Sequence, residues 1–180
     1  SSSVFYNKPN TDVTSVSNWG TNTDGTGSSP TNFTDAGQTF FLYNDGATMS
    51  TPWSIQGAGS VLAIGDGTNA LTFNATQTFD ATILRVRNNA TLRIHSSTIP
   101  TFETLFSGST VDYAGTSQSV TPTSYSNLTI SGTGTTFSGT TNISGVFTPG
   151  AATASSGTIV LNGTSNSQII PAFIYNNLTI

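Results

Sequence analysis

Four of the basic side chains lie in one short stretch of the sequence. Arg85, Arg87, Arg93 and His95 occupy alternate positions between apolar residues, so strand geometry predicts that they point outward. Such a patch could receive an acidic sugar or a sulfate. The alternative is a solvated face in which Arg93 lies over Asp112, 19 residues later. A cross-strand ion pair of this kind stabilises by about 0.2–1 kcal/mol, and we favour this structural interpretation.

The acidic residues do not form a catalytic pattern. Asp24, Asp45 and Asp66 each precede glycine, which is turn chemistry. A glycosidase needs two carboxyl groups about 5–9.5 Å apart across one bond, and Glu103 and Asp112 are expected to face different sides of the fold. His95 has no Ser or Asp that can be singled out as its partner in a nucleophilic triad. We therefore assign no catalytic residue and do not predict an enzyme.

One segment resembles part of a calcium-binding loop. Asn22-Thr-Asp24-Gly has the Asp/Asn spacing of such loops but lacks the downstream Glu that would complete the ligand set. Asn22 and Asp24 are thus a weak calcium candidate. No cofactor is predicted, and His95 lacks the further ligands that a metal site requires.

The composition favours short strands and excludes several classes of partner. Ser, Thr and Asn make up about two residues in five, and only 7% of the chain is charged. Thr, Val, Ile and the aromatic residues suit a pleated sheet, whereas Ser, Thr and Asn disfavour helices. A net charge of −4 argues against nucleic acid, and no apolar run is long enough to span a membrane. Disorder is the competing interpretation, but 11 Phe, 5 Tyr and 2 Trp can form a core.

Internal repeats give the strongest signal for the fold. YSNLTI at 125–130 returns as YNNLTI at 175–180, within a longer internal repeat of 109–130 and 158–180. A shorter pattern places apolar residues two apart, as one buried strand face requires. These inward pairs are Leu62/Ile64, Leu92/Ile94, Val111/Tyr113 and Ile159/Leu161.

The spacing of these repeats predicts an all-β, right-handed parallel β-helix. The four short patterns are separated by 30, 19 and 48 residues. With coils of about 19–25 residues, these offsets correspond to one coil with an insertion, one coil, and two coils. An antiparallel β-sandwich is the alternative, but it gives no reason for similar strands to recur in register.

The first part of the chain differs from the rest. Residues 1–58 contain both Trp residues and lack the later repeat, whereas residues 59–180 carry the coils. A solenoid needs an atypical unit to cover its first coil. We therefore interpret 1–58 as an aromatic-rich N-terminal cap rather than as an aromatic sugar-binding platform.

Several stretches together resemble a known class of protein. NWGTNTDGTG, the segment FTDAGQTFFLYNDGATMSTPWSIQGAGSVLAIGDGTNALTF, GSTVDYAGTSQSV and YSNLTISGTG are similar to large, secreted, repetitive cell-surface proteins of Bacteroidota with NLTISG-type units. The resemblance covers the chain from about Ser17 onward. It implies an extracellular or cell-surface location, a β-helical stalk, and a role in adhesion or filament formation. It supplies no catalytic residues.

The last coil is the predicted surface for self-association. A β-helix that stops at the last coil without a polar cap leaves an apolar row and unpaired backbone groups exposed. The expected partner is another copy, stacked head to tail, or further repeats of a longer chain. The residues predicted to mediate this contact are Ile170, Phe173, Ile174, Leu178 and Ile180.

Three functional hypotheses follow from these patterns. The first is a structural or adhesive surface protein that forms a stalk or a filament subunit. The second is a module that binds glycan or ice, although Thr-x-Thr pairs such as Thr121-x-Thr123 do not recur at the coil spacing that an ice-binding face would need. The third, a polysaccharide-active enzyme, is weakened by the scattered carboxylates.

Overall fold

Short β-strands account for nearly all of the regular structure. The computed structural model describes residues 3–153 and 156–180. One 3₁₀ turn (Val16–Asn18) lies among the strands. In chain order the strands are β1 (Val4–Asn7), β2 (Trp19–Gly20), β3 (Thr39–Leu42), β4 (Trp53–Ile55), β5 (Val61–Ile64), β6 (Leu71–Ala75), β7 (Phe79–Ala81), β8 (Ile83–Val86), β9 (Ala90–Ile94), β10 (Thr104–Leu105), β11 (Thr110–Tyr113), β12 (Ser119–Val120), β13 (Ser124–Tyr125), β14 (Asn127–Ile130), β15 (Thr136–Phe137), β16 (Thr140–Ile143), β17 (Phe147–Thr148), β18 (Thr158–Leu161) and β19 (Asn177–Thr179).

The strands stack in parallel into a β-solenoid of about seven turns. The first sheet has the order β10-β8-β5-β3-β1-β2, the second sheet is β17-β14-β11-β9-β6, and the C-terminal sheet is β13-β16-β18-β19. Two two-stranded sheets, β4-β7 and β12-β15, complete the coils. Among the described strands, only β1 and β2 pair antiparallel. The predicted parallel β-helix is therefore confirmed, and the parallel pairing excludes the β-sandwich.

The core consists of rows of apolar side chains that run from coil to coil. In the first sheet Phe40, Leu62 and Leu84 are aligned and fully buried. In the second sheet Leu92 lies over Val111, which lies over Leu128. All four inward pairs predicted from the sequence are buried. Burial of a side chain such as Leu contributes about 1.5–3 kcal/mol relative to exposure, so these rows hold the coils together.

The predicted coil offsets are only partly right. β9 and β11 are one coil apart, with Arg93 opposite Asp112, as the 19-residue spacing predicts. The interpretation of the 30- and 48-residue offsets as whole numbers of coils is wrong. β5 and β9 lie in different sheets, and so do β11 and β18. Paired residues on stacked strands are 17 to 26 positions apart, and 35 apart between β1 and β3, so both offsets leave a fraction of a coil.

The strand pairs that begin and end the two copies of the long repeat therefore lie in different sheets but make equivalent local pairings. β14 stacks on β11 in the second sheet, and β19 stacks on β18 in the C-terminal sheet. Gln118 accepts a hydrogen bond from Gly115 N at 2.7 Å, and Gln168 accepts one from Gly163 N at the same distance. The repeat thus encodes a corner and its adjacent strand pair rather than a fixed position around the solenoid.

The region 1–58 is continuous with the coils that follow it. β3 pairs with β5 in full register across the boundary predicted at residue 58. β2 covers the outer edge of β1, and Trp19 is fully buried there, with its indole N–H donating to Val13 O at 2.9 Å. Trp53 packs beside it, with ring centroids 5.8 Å apart. Both Trp side chains thus belong to the core and are not surface platforms.

Candidate functional site

The four basic residues of the predicted patch lie in two different sheets. Arg85 and Arg87 lie on or next to β8 in the first sheet, whereas Arg93 and His95 lie on or next to β9 in the second. The single basic cluster inferred from the sequence is therefore wrong. A corner between β8 and β9, at Asn88 and Asn89, turns the chain from one sheet to the next.

The second-sheet pair is occupied by structural contacts. Arg93 Nε lies 3.0 Å from Asp112 Oδ2, and Asp112 also accepts hydrogen bonds from Ser131. His95 Nε2 lies 2.6 Å from Asn74 Oδ1 on the adjacent strand. The predicted stacking of Arg93 on Asp112 is confirmed. The Asp112 carboxylate thus has hydrogen-bond partners in both Arg93 and Ser131.

Arg85 in the first sheet is also paired. Its Nε lies 2.9 Å from Glu103 Oε2, and both side chains are more than a third exposed. The Thr104 hydroxyl donates to the same carboxylate, and this hydrogen bond together with Arg85 lowers the pKa of Glu103. Because both partners are solvated, the ion pair is weak, and a competing ligand can displace it at small cost.

Arg87 is different, because neutral oxygens hold its side chain in place. Its Nη1 donates to Tyr43 Oη at 3.2 Å and more weakly to Gly65 O at 3.4 Å. Within the described residues, no carboxylate lies within 4.0 Å of its guanidinium. The side chain is thus oriented while its charge remains uncompensated at short range.

A trough runs along the outer face of β5, between β3 and β8. Its floor is formed by short side chains of the central strand, at Val61 and Ala63. Phe41 lies beside Ala63 on one side, and Arg85 lies beside it on the other. The trough is open to solvent and has a volume of about 460 Å³.

One wall of the trough is aromatic. Phe41 and Tyr43 line it with ring centroids 5.1 Å apart, and Tyr6 extends the cluster onto β1, stacked on Phe41 at 5.5 Å. All three rings are half-buried. Phe106, which is 43% exposed, lines the trough from the other side.

The aromatic part of this site was not predicted from the sequence. Phe41 and Tyr43 lie on the outward positions of the alternating segment TFFLYN, which is a signal that was available. Their proximity to Arg85 and Arg87 was not visible, because it depends on the register of β3, β5 and β8. Those residues are separated by two coils in the sequence.

Two of the remaining acidic residues, Asp24 and Asp66, make turn hydrogen bonds. Asp24 Oδ1 accepts from the backbone and side chain of Thr26, and these bonds lower the pKa of Asp24. Asp66 accepts from Thr68 and Asn69 in the same way. In the described part of the chain no three His, Cys, Asp or Glu residues come together as metal ligands. At the calcium candidate, Asn22 and Asp24 both bond Thr26 in an Asx-type turn.

The predicted self-association surface is exposed only in part. Ile174 and Ile180 are 89% and 79% exposed, and Ile170 is 47% exposed. Phe173 and Leu178 instead pack against the core, and the Phe173 ring lies 5.5 Å from that of Phe147. Two further exposed apolar residues near this end, Val146 and Ile169, were not in the predicted set.

The comparisons with known proteins give no relative for this chain. No family model matches it, and neither the curated proteins nor the solved structures contain a significant match. Within the described residues, no helix is long and apolar enough to cross a membrane.

Proposed function

We propose that this chain is a structural segment of an extracellular or cell-surface protein, in which the β-solenoid forms a stalk or a filament subunit. The observation that carries this proposal is the continuous parallel stacking of coils in register, from β1 to β19. A stack of this kind provides length and stiffness, because each coil is fixed on its neighbours by backbone hydrogen bonds and a buried apolar row.

The use of the polar groups supports a structural role. The carboxylates of Asp12, Asp24 and Asp66 bind nearby Ser, Thr or backbone N–H groups, and those of Glu103 and Asp112 bind arginine. Buried Gln118 donates to the carbonyl groups of Ile94 and Ser96 on the previous coil, both at 2.8 Å. These groups stabilise corners and coil contacts.

The two ends of the stack differ in how they are covered. At the N-terminal end the antiparallel strand β2 and the buried Trp19 cover β1. At the other end, among the described strands, β19 has a neighbour on one side only. Its free edge and the exposed Ile174 and Ile180 suit the stacking of one more coil, from this chain or from a second copy.

Assembly of the purified chain tests the proposal. We expect a concentration-dependent increase in mass by sedimentation, with elongated particles in electron micrographs. The double substitution Leu178→Asp and Ile180→Asp places charges on the last coil and should abolish the association. The matched control is Thr72→Asp with Thr76→Asp, which adds the same charge at exposed positions far from that end. If the control and the last-coil variant assemble equally, the last coil is not the contact surface.

A further inference from the structure

The outer face of the first sheet is unusual for a solvent-exposed surface of this protein. Elsewhere, outward positions on the strands are mainly Thr, Asn or charged residues, as at Thr72, Thr129 and Asn142. In the trough, the outward positions are aromatic on β3, small on β5 and cationic on β8. Three neighbouring strands thus present an aromatic row, a row of small side chains and a cationic row side by side.

The dimensions of the trough follow from strand geometry. β3 and β8 are two strand spacings apart, about 9.6 Å, and the wall from Thr39 to Tyr43 is about 13 Å long. The small residue Ala63 produces the depression, because the larger side chains of Phe41 and Arg85 flank it in the same row. The shape suits an elongated ligand that lies along β5 and is longer than one sugar ring.

The floor cannot accept a peptide as an additional strand. The backbone of β5 is paired on both edges, with β3 and with β8. A peptide lying in the trough would therefore gain none of the main-chain hydrogen bonds through which sheets usually recruit extended peptides. A ligand with its own hydroxyl groups and an apolar ring face does not need those main-chain hydrogen bonds, because it binds through side chains alone.

The two walls define the chemistry of that ligand. The half-buried rings of Phe41 and Tyr43 offer apolar surface, with a phenol group at one end. Opposite them, Arg87 is oriented by Tyr43 Oη and Gly65 O and has no carboxylate partner at short range among the described residues. A guanidinium fixed in this way binds a carboxylate through paired hydrogen bonds.

From these features we infer that the trough along β5 binds an anionic polysaccharide, with pyranose faces on Phe41 and Tyr43 and a ring carboxylate on Arg87. Arg85 is a second cation at the same wall, and its exposed pairing with Glu103 can exchange for the ligand. This inference does not depend on assembly, because the trough lies on the side of the stack and not at its open end.

Calorimetric titration with an oligogalacturonate tests this site, and the fully methyl-esterified oligosaccharide serves as the uncharged comparison. We expect the acidic form to bind and the ester to bind at least about tenfold more weakly, as the loss of a hydrogen-bonded charge implies. Arg87→Gln should reduce affinity for the acidic form by a similar factor and leave the ester unaffected. Phe41→Ser should weaken both ligands. Glu103→Gln should strengthen binding of the acidic form several-fold, because it removes a negative charge at the rim.

Arg93→Gln is the matched control, because it makes the same charge change in the second sheet. It should leave affinity unchanged, with circular dichroism and melting showing that each variant is folded. The inference is overturned if the acidic oligosaccharide does not bind the folded wild-type chain, or if Arg87→Gln and Arg93→Gln bind it equally. A poly-glutamate peptide that binds as tightly as the oligosaccharide would overturn the assignment to a glycan.

Discussion

Two segments of this chain carry nearly the same sequence in different surroundings. The first copy of the repeat ends in β14, where Leu128 and Ile130 are almost completely buried. In the second copy, Leu178 is half-buried and Ile180 is 79% exposed. The residues are the same, and both copies stack on a preceding strand.

What differs is the coil that follows. β14 has neighbours on both sides, β11 and β17, whereas β19 contacts β18 alone among the described strands. The Tyr side chains show the same contrast. Tyr125 Oη lies 2.6 Å from Tyr113 Oη and donates to Thr121 O, but among the described residues Tyr175 Oη makes only the second type of bond, to Pro171 O. In a solenoid the local sequence fixes the corner, and the next coil supplies the burial.

The apolar residue at the centre of each copy should show the largest difference. Leu128→Ala removes a fully buried side chain and should lower the free energy of unfolding by about 2–5 kcal/mol. Leu178→Ala removes a half-buried one and should cost about 1 kcal/mol. Urea denaturation of both variants measures the two values. Equal losses would show that β19 is covered in solution as fully as β14.

The corner glutamines should show the next largest difference. Gln118 is buried and bonds Gly115 N and the carbonyl groups of Ile94 and Ser96. Its replacement by Ala leaves these groups without a partner and should cost about 2–3 kcal/mol. Gln168 makes the same kinds of bond but is partly exposed, so water can replace it, and Gln168→Ala should cost about 1 kcal/mol. Chemical denaturation measures both, and a larger loss for Gln168 would contradict the comparison.

Alkaline pH should also act mainly through the first copy. Burial raises the pKa of both Tyr113 and Tyr125 above the ordinary value near 10. Their contribution to stability is therefore complete below about pH 10 and is lost as the pH rises beyond it, by up to about 1.4 kcal/mol per pH unit for each group. Melting temperatures measured across this range should fall less steeply for the Tyr113→Phe, Tyr125→Phe double variant. An identical slope would mean that neither hydroxyl is buried.

The single hydroxyl deletions should have the smallest effect. Tyr125→Phe removes a bond to Thr121 O and one to the Tyr113 hydroxyl, and should cost about 1–1.5 kcal/mol. Tyr175→Phe removes one partly solvated bond and should cost about 0.5 kcal/mol. Thermal unfolding measures the loss of stability in both variants. A larger loss for Tyr175→Phe would contradict the deeper burial of the Tyr125 hydroxyl.

The sequence predicts those parts of the fold that depend on local pattern. Period-two alternation identifies inward residues such as Leu92 and Val111, and the 19-residue spacing identifies the contact of Arg93 with Asp112. The sheet to which each strand belongs depends on where the corners fall, and coil lengths between paired positions vary from 17 to 26 residues and reach 35 between β1 and β3. For this reason β5 and β9 were wrongly placed one above the other.

The trough shows the same limit for the candidate site. Its aromatic and cationic residues are each recognisable as outward-facing, but their proximity depends on the register of three strands. The sequence therefore grouped Arg85 and Arg87 with Arg93 and His95, which are near in the chain, rather than with Phe41 and Tyr43, which are near in space.

Hydrogen–deuterium exchange of β14 and β19, at low and high protein concentration, tests the central claim most directly. Backbone amides of β14 should be protected at both concentrations, because they lie between two paired strands. Those of β19 should exchange rapidly in dilute solution and become protected as the concentration rises and another coil covers them. Protection of β19 equal to that of β14 in the dilute monomer would contradict the account, as would an assembled state in which β19 still exchanges freely.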